Sequence, residues 1–298
     1  MRTQYQISSL TMLPIASKRI IPLMLFTIAY SATHAQPDIQ WEQNLGGSSV
    51  EEAEDIEQTD DGGFVVAGSS ESSDGDVSGN KGRDDYWIVK LDSTGQLEWE
   101  HNLGGSGSDL AKSIDQTEDG GFVVAGSSES KDGDVGGNNG EEDYWIVKLD
   151  AKGQVEWENN FGGSGSDLAK SIEQTEDGGF VVAGSSESSD GDVSVNKGGD
   201  DYWIVKLDET GLLEWKNTFG GSSNDGPHSI EQTEDGSFIV AGSSESSDGD
   251  VSGNNGDADY WILKLNETGQ LEWENNLGGP GLDLAKSIEQ TEDSGYVV

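Results

Sequence analysis

Tryptophan recurs in this chain at a fixed interval. Trp41, Trp99, Trp157, Trp215 and Trp273 are each 58 residues apart, and Trp87, Trp145, Trp203 and Trp261 keep the same spacing. A period of this length means supersecondary units that cannot bury their apolar faces alone and must pack against copies of themselves.

Within one unit, apolar runs bounded by turn residues predict four short strands. In the second unit they are strand a from Ala111 to Thr117, strand b from Phe122 to Ser127, strand c from Tyr144 to Leu149 and strand d from Gln154 to Asn159. Glu118-Asp119-Gly120-Gly121 joins a to b, its glycines supplying the positive φ of a tight hairpin. Asp150-Ala151-Lys152-Gly153 joins c to d and suits a type I turn with a glycine bulge. Strand c is almost continuously apolar, as a strand covered on both faces should be, whereas strand d alternates, with Glu156 and Glu158 turned outward.

The fold class expected from this plan is all-β: a β-propeller of four-stranded antiparallel blades, with four complete blades and partial units at both ends. A β-solenoid is the alternative, because a long period can also stack linearly. Residues Ile39 to Leu45 read as a lone strand d, and the chain stops within strand b of a fifth unit at Val298. That pattern suggests a fragment of a longer reading frame.

The stretch Asp201-Tyr-Trp-Ile-Val-Lys-Leu-Asp-Glu-Thr-Gly-Leu-Leu-Glu-Trp215, with its Leu-Asp-x-x-Gly turn before a strand-d Trp, resembles the blades of secreted Trp-containing bacterial propellers. Ser171-Ile-Glu-Gln-Thr-Glu-Asp-Gly-Gly-Phe-Val-Val-Ala-Gly184 completes the resemblance, which covers everything after about residue 38. Many such proteins have no known function. The resemblance implies a propeller and an extracellular, Gram-negative cell-surface address, and no activity. The blade turn is also similar to that of quinone-cofactor propellers, but the asymmetric cofactor floor and vicinal cysteines of that family have no counterpart here.

Residues 20 to 30 form an apolar run preceded by Lys18 and Arg19 and followed by Ser31-Ala32-Thr33-His34-Ala35. This is the pattern of a secretory signal peptide spanning residues 1–35, with a repeat domain from 36 to 298. The absence of Cys excludes disulfides and a thiol nucleophile. The formal charge of −42 repels phosphate backbones and anionic lipid, so nucleic acid is excluded as a partner and no direct membrane insertion is expected after cleavage. An extracellular protein or glycan is the expected partner.

The loop between strands b and c is the strongest candidate for chemistry. It places Asp74, Asp76 and Asp85 at its first, third and twelfth positions, and repeats them as Asp132, Asp134 and Asp143, as Asp190, Asp192 and Asp201, and as Asp248, Asp250 and Asp259. Calcium takes six to eight oxygens, and this spacing resembles an EF-hand loop closed by Asp instead of Glu. Ca2+ is therefore the one cofactor the sequence suggests, and a solvated Asp/Gly/Asn turn is the alternative. Strand a adds one acid per unit, at Glu57, Asp115, Glu173, Glu231 and Glu289, where inner strands would face a central channel.

Two histidines break the repeat. His101 stands where other units carry Asn159 and Asn275, and His228 stands where they carry Glu54, Lys112, Lys170 and Lys286, a position that reads as tolerant and surface-like. Catalysis needs unlike groups in one place, and the carboxylates here are the same in every unit. The sequence therefore points to a non-enzymatic binding or structural module, with a calcium-stabilised spacer and a glycan hydrolase as the alternatives.

Overall fold

Alternation of apolar runs and glycine turns produces strands within one or two residues of the expected positions. The computed structural model describes residues 39–298, and no helix occurs among them. The first unit forms β1 (Glu51–Gln58), β2 (Phe64–Ser70), β3 (Asp85–Leu91) and β4 (Leu97–Leu103). The second forms β5 (Asp109–Gln116), β6 (Phe122–Ser128), β7 (Asp143–Leu149) and β8 (Val155–Phe161). The third forms β9 (Asp167–Gln174), β10 (Phe180–Ser186), β11 (Asp201–Leu207) and β12 (Leu213–Phe219). The fourth forms β13 (Asp225–Gln232), β14 (Phe238–Ser244), β15 (Asp259–Leu265) and β16 (Leu271–Leu277), and β17 (Glu289–Gln290) and β18 (Tyr296–Val297) begin a fifth.

Each complete unit closes its own antiparallel sheet with its strands in sequence order. A solenoid would instead pass its hydrogen-bond ladder from one unit to the next, so the units are propeller blades. One expectation fails: residues 39–45 form no strand. Among the described residues their strand-d pattern has no strand c to pair with, and side-chain packing is what remains: Trp41 meets the Phe64 ring edge-on at 5.4 Å, and Trp41 and Leu45 pack against the cluster of Val77, Trp87, Val89 and Leu91. The signal-peptide reading of residues 1–35 lies outside the described residues.

Hairpin geometry follows from the glycines. Gly120 and Gly153 adopt φ of 79° and 77°, the left-handed region that an L side chain enters at a cost, and the equivalent glycines of the other complete units do the same.

The core lies between blades. Strands β3, β7 and β11 are buried along their whole length. One cluster joins Val65, Ala67, Tyr86 and Ile88 of the first blade to Phe122, Val124, Trp145 and Val147 of the second, and the same set recurs between the second and third and between the third and fourth. Tyr86 packs on Trp145 with ring centroids 4.5 Å apart, and its hydroxyl donates to the Trp145 carbonyl at 2.9 Å. Tyr144 with Trp203 and Tyr202 with Trp261 repeat this joint. The strand-d tryptophans also bridge blades: Trp99, Trp157 and Trp215 meet Phe122, Phe180 and Phe238 edge-on at 5.6–5.7 Å. Gly184 is required for space, because a Cβ there would lie 2.0 Å from the Leu168 carbonyl oxygen and 2.5 Å from the Tyr144 hydroxyl.

Each strand c also buries a lysine. Lys148 Nζ reaches Asp119 of the a–b turn at 3.0 Å, Glu156 of strand d at 3.1 Å and the Leu149 carbonyl at 3.1 Å, which ties three strands of one blade together.

Candidate functional site

A sheet's edge strand carries unpaired N–H groups, and strand a is the edge of every blade that meets its neighbours' strand a. The sequence answers this with acceptors on the adjoining strand. Glu57, Asp115, Glu173 and Glu231 accept hydrogen bonds from the backbone N–H groups of Gln116, Gln174, Gln232 and Gln290 in the next unit, at 2.7–2.8 Å. The glutamine side chains return the contact: Gln116 Oε1 accepts from Asp60 N at 2.8 Å, and Gln174 Oε1 from Glu118 N at 2.7 Å. The strand-a acids are thus stitches between blades. Burial, reinforced by the Asp115 carboxylate, pushes Glu57 up to about 7, and burial pushes Glu173 up to about 7 as well.

Beside these stitches lies an open cavity of about 590 Å3, lined among others by Asp115, Glu173, Glu231, Glu118, Glu176 and Glu234. Among the described residues no cationic side chain lines it.

Three residues back along the same strands, every complete blade carries a β-bulge. Pairing with strand b skips Glu54, Lys112, Lys170 and His228 in turn. A bulge frees a side chain from the ladder's alternation and re-aims it. The position that reads from sequence as tolerant surface is therefore a half-buried point on the inner strands for Lys112, Lys170 and His228. Lys112 Nζ forms an ion pair with Glu54, and Lys286 Nζ lies 2.9 Å from His228 Nε2. His101, by contrast, packs on Trp99 with centroids 5.3 Å apart and lies 3.4 Å from the Lys152 carbonyl. It replaces the contact that Asn159 makes with the Gly211 carbonyl at 3.1 Å.

The b–c loop acids reach the linker that enters their own blade. Asp132 accepts from Ser106 N at 2.7 Å, and Asp134 accepts from Gly104 N at 3.0 Å while its own N–H donates to Gly104 O at 2.9 Å. Asp74 and Asp76 hold Ser48 N and Gly46 N, Asp190 and Asp192 hold Ser164 N and Gly162 N, and Asp248 and Asp250 hold Ser222 N and Gly220 N, at 2.7–3.3 Å. The twelfth-position acids point elsewhere: Asp85, Asp143, Asp201 and Asp259 are fully buried at the start of strand c and accept from the N–H groups of Lys81, Asn139, Lys197 and Asn255 at 2.5–2.7 Å. Among the described residues no three His, Cys, Asp or Glu side chains are grouped as metal ligands.

Sequence reasoning missed what faces these buried acids. The second oxygens of Asp85, Asp143, Asp201 and Asp259 have no partner. A Cβ on Gly162 would fall 2.2 Å from Asp143 Oδ1 and 2.7 Å from Asp167 Oδ2, so a strand-c acid of one blade and the strand-a acid of the next meet beneath the glycine linker. Gly104 covers Asp85 and Asp109 in the same way, and Gly220 covers Asp201 and Asp225. Burial raises Asp85, Asp143 and Asp201 to about 6 against the lowering effect of one backbone N–H each, and the facing carboxylate adds to the rise. Asp109, Asp167 and Asp225 recur with the same period as the loop acids, which is the signal that could have found them.

No family model matches the chain. The regulatory protein FlaEY of Caulobacter vibrioides is 28% identical over 220 residues, which cover 68% of this chain and 23% of that protein. The chain therefore spans about a quarter of the length of this curated relative. Among solved structures, the Pan2 WD40 domain of Neurospora crassa is similar at a TM-score of 0.43 and 13% identity, over 80% of this chain and 68% of that one. A B. megaterium levansucrase gives 0.38 and 11% over 83% and 67%, and a GH43_12 protein retrieved from capybara gut metagenome gives 0.39 and 12% over 84% and 49%. At such scores the likenesses are loose, and the blade assignment rests on the sheet order and packing described above.

Proposed function

We propose that this chain is a non-enzymatic binding and structural module that works outside the producing cell and takes a positively charged segment of a protein partner at the cavity on its inner strands. The observation that carries the reading is the lining of that cavity, where three units each contribute two equivalent acids, Glu292 of the fifth adds another, and no cation among the described residues offsets them. Clefts lined by one sign of charge concentrate ligands of the other sign. Repetition supports binding over glycan hydrolysis: Asp115, Glu173 and Glu231 make the same backbone contact in successive blades, so none is set apart as acid or base. The extracellular part of the reading is supported by the charged, apolar and small-residue segments that precede Gln36.

A fluorescence titration with a labelled Lys/Arg-rich peptide at physiological salt tests this. Exchanging Glu118, Glu176 and Glu234 together for Gln weakens binding by about tenfold or more, since each exposed charge contributes ~0.5 kcal/mol. The same exchange at Glu71, Glu187 and Glu272, exposed acids that line neither that cavity nor the clefts beside it, leaves the affinity within about twofold. Equal weakening in both triple variants would mean the peptide reads only the overall charge, and the reading falls.

A further inference from the structure

The bulge position on strand a is where the near-identical units differ most in chemistry: Glu54, Lys112, Lys170, His228 and, in the fifth unit, Lys286. In a chain with 16 Lys and Arg against 58 Asp and Glu, three lysines and one of three histidines occupy this single repeat position. The side chains meet across blades. Lys112 of the second blade pairs with Glu54 of the first, and Lys286 of the fifth unit touches His228 of the fourth. Lys170, on the third blade between these two pairs, has no ion pair and no hydrogen bond to its ammonium among the described residues, although it is half-buried.

Its surroundings are cationic on both sides. Burial lowers the Lys170 ammonium, and Lys112 and Lys286 lower it further, with Glu54 and Asp200 opposing them. Burial, Lys286 and Lys170 likewise lower His228. Geometry brings them together: beside the bulges, Ile172 N donates to Ser113 Oγ, Ile230 N to Ser171 Oγ and Ile288 N to Ser229 Oγ at 3.3–3.4 Å, so the bulge residues of successive units stand in one row on adjoining strands. With a neutral His228, three ammonium groups outnumber the Glu54 and Asp200 carboxylates that act on them. Like charges gathered at a half-buried site repel one another more than they would in water, so the cluster is costly as it stands. An anion seated among the lysines would remove that cost. The lysines can be reached: the Lys112 side chain keeps 24% of its exposure and Glu54 keeps 33%.

We propose that Lys112, Lys170, His228 and Lys286 form a binding site for a multivalent oxyanion of the phosphate type. Lysine ammonium groups supply three rotatable donors each and suit a compact oxyanion. His228 Nε2 is engaged with Lys286, and a ligand oxygen would compete for that ammonium. The site stands about 10 Å along the strands from the acid-lined cavity, at ~3.3 Å per residue, and depends on none of that cavity's acids. It is independent of the cationic partner proposed above.

Calorimetric titration of the full chain at pH 7.5, with NaCl matching the ionic strength, tests the proposal using inorganic phosphate in one arm and glycerol 3-phosphate in the other. Saturable binding of one anion per chain is expected. A tighter phosphomonoester assigns the site to a phosphate group on a larger ligand, and equal affinity assigns it to the free ion; both support the site. Lys170→Gln weakens binding by about tenfold or more, the loss of a charged hydrogen bond. Lys152→Gln, on an exposed c–d turn, does not change it. Glu54→Gln removes the competing carboxylate and tightens binding. Melting curves without phosphate show that Lys170→Gln is folded, and phosphate raises the melting temperature of the parent chain but not of this variant. Absence of saturable heat in both arms, or unchanged affinity in a folded Lys170→Gln protein, overturns the proposal.

Discussion

Replacing Trp145 with Ala lowers the unfolding free energy by about 3–5 kcal/mol, seen as a large drop in the urea midpoint, because truncating a buried Trp removes its transfer energy and leaves a cavity. Trp145 is 1% exposed and sits in the cluster that joins the first and second blades. Its ring packs on Tyr86 at 4.5 Å, and its Nε1 donates to Glu158 Oε2 at 3.0 Å, so truncation strips an aromatic contact and a charged hydrogen bond together. Trp145→Phe keeps part of the ring contact and loses less. A cost under about 1 kcal/mol for the Ala variant would place the core inside the blades and not between them.

The second large effect is a loss of stability as the medium turns from acid to neutral. Unfolded Asp and Glu titrate near 4, whereas Asp85, Asp143 and Asp201 titrate at about 6 and Glu57 and Glu173 at about 7 in the folded chain. Between these limits the folded state binds more protons than the unfolded state, so stability falls as pH rises from about 4 to about 7. At ~1.4 kcal/mol per unit, each fully buried Asp contributes at most roughly 3 kcal/mol of this loss. The opposite sign holds for Asp61 and Asp119. The Thr59 hydroxyl, the Gly63 N–H and Lys90 hold Asp61 down to about 2; for Asp119, burial is outweighed by the Thr117 hydroxyl, the Gly121 N–H and Lys148, also giving about 2. Their contribution is present above about 4 and disappears as pH falls toward 2.

The melting temperature therefore peaks near pH 4–5 and is lower by roughly 5–10 °C at pH 8. Asp201→Asn sharpens the test. The amide oxygen still accepts from Lys197 N, the amide nitrogen can donate to Asp225, and one buried charge of the facing pair is gone, so the variant melts higher than the parent at pH 8 and much like it at pH 4.5. A flat pH profile, or destabilisation by Asp201→Asn at pH 8, would refute the paired-carboxylate account.

Much of the blade could be read from the sequence because its causes are local. The a–b and c–d turns follow from Gly120 and Gly153, and the covered strand c follows from the apolar run around Trp145. The segment from Ile39 to Leu45 shows the limit of local reasoning: its alternation is that of strand d, yet a strand also needs a partner. The b–c loop shows the same limit for side chains. The spacing of Asp132, Asp134 and Asp143 describes the loop, whereas the first two reach a linker some 26–30 residues earlier and the third turns into the core. The bulge was likewise invisible in strand propensity. Its trace was the variation from Glu54 to Lys112 to His228 within otherwise uniform units.

The repeated loop carboxylates accept from the backbone of the glycine linkers, and a fold that needs no cation is the result expected of them. Thermal unfolding of the chain in about 10 mM calcium and in excess chelator tests this most directly, since that concentration exceeds the weakest extracellular-type calcium affinities. The account predicts coincident curves once ionic strength is matched. A melting temperature several degrees higher with calcium, as a cation bound to the native state alone would produce, would contradict it.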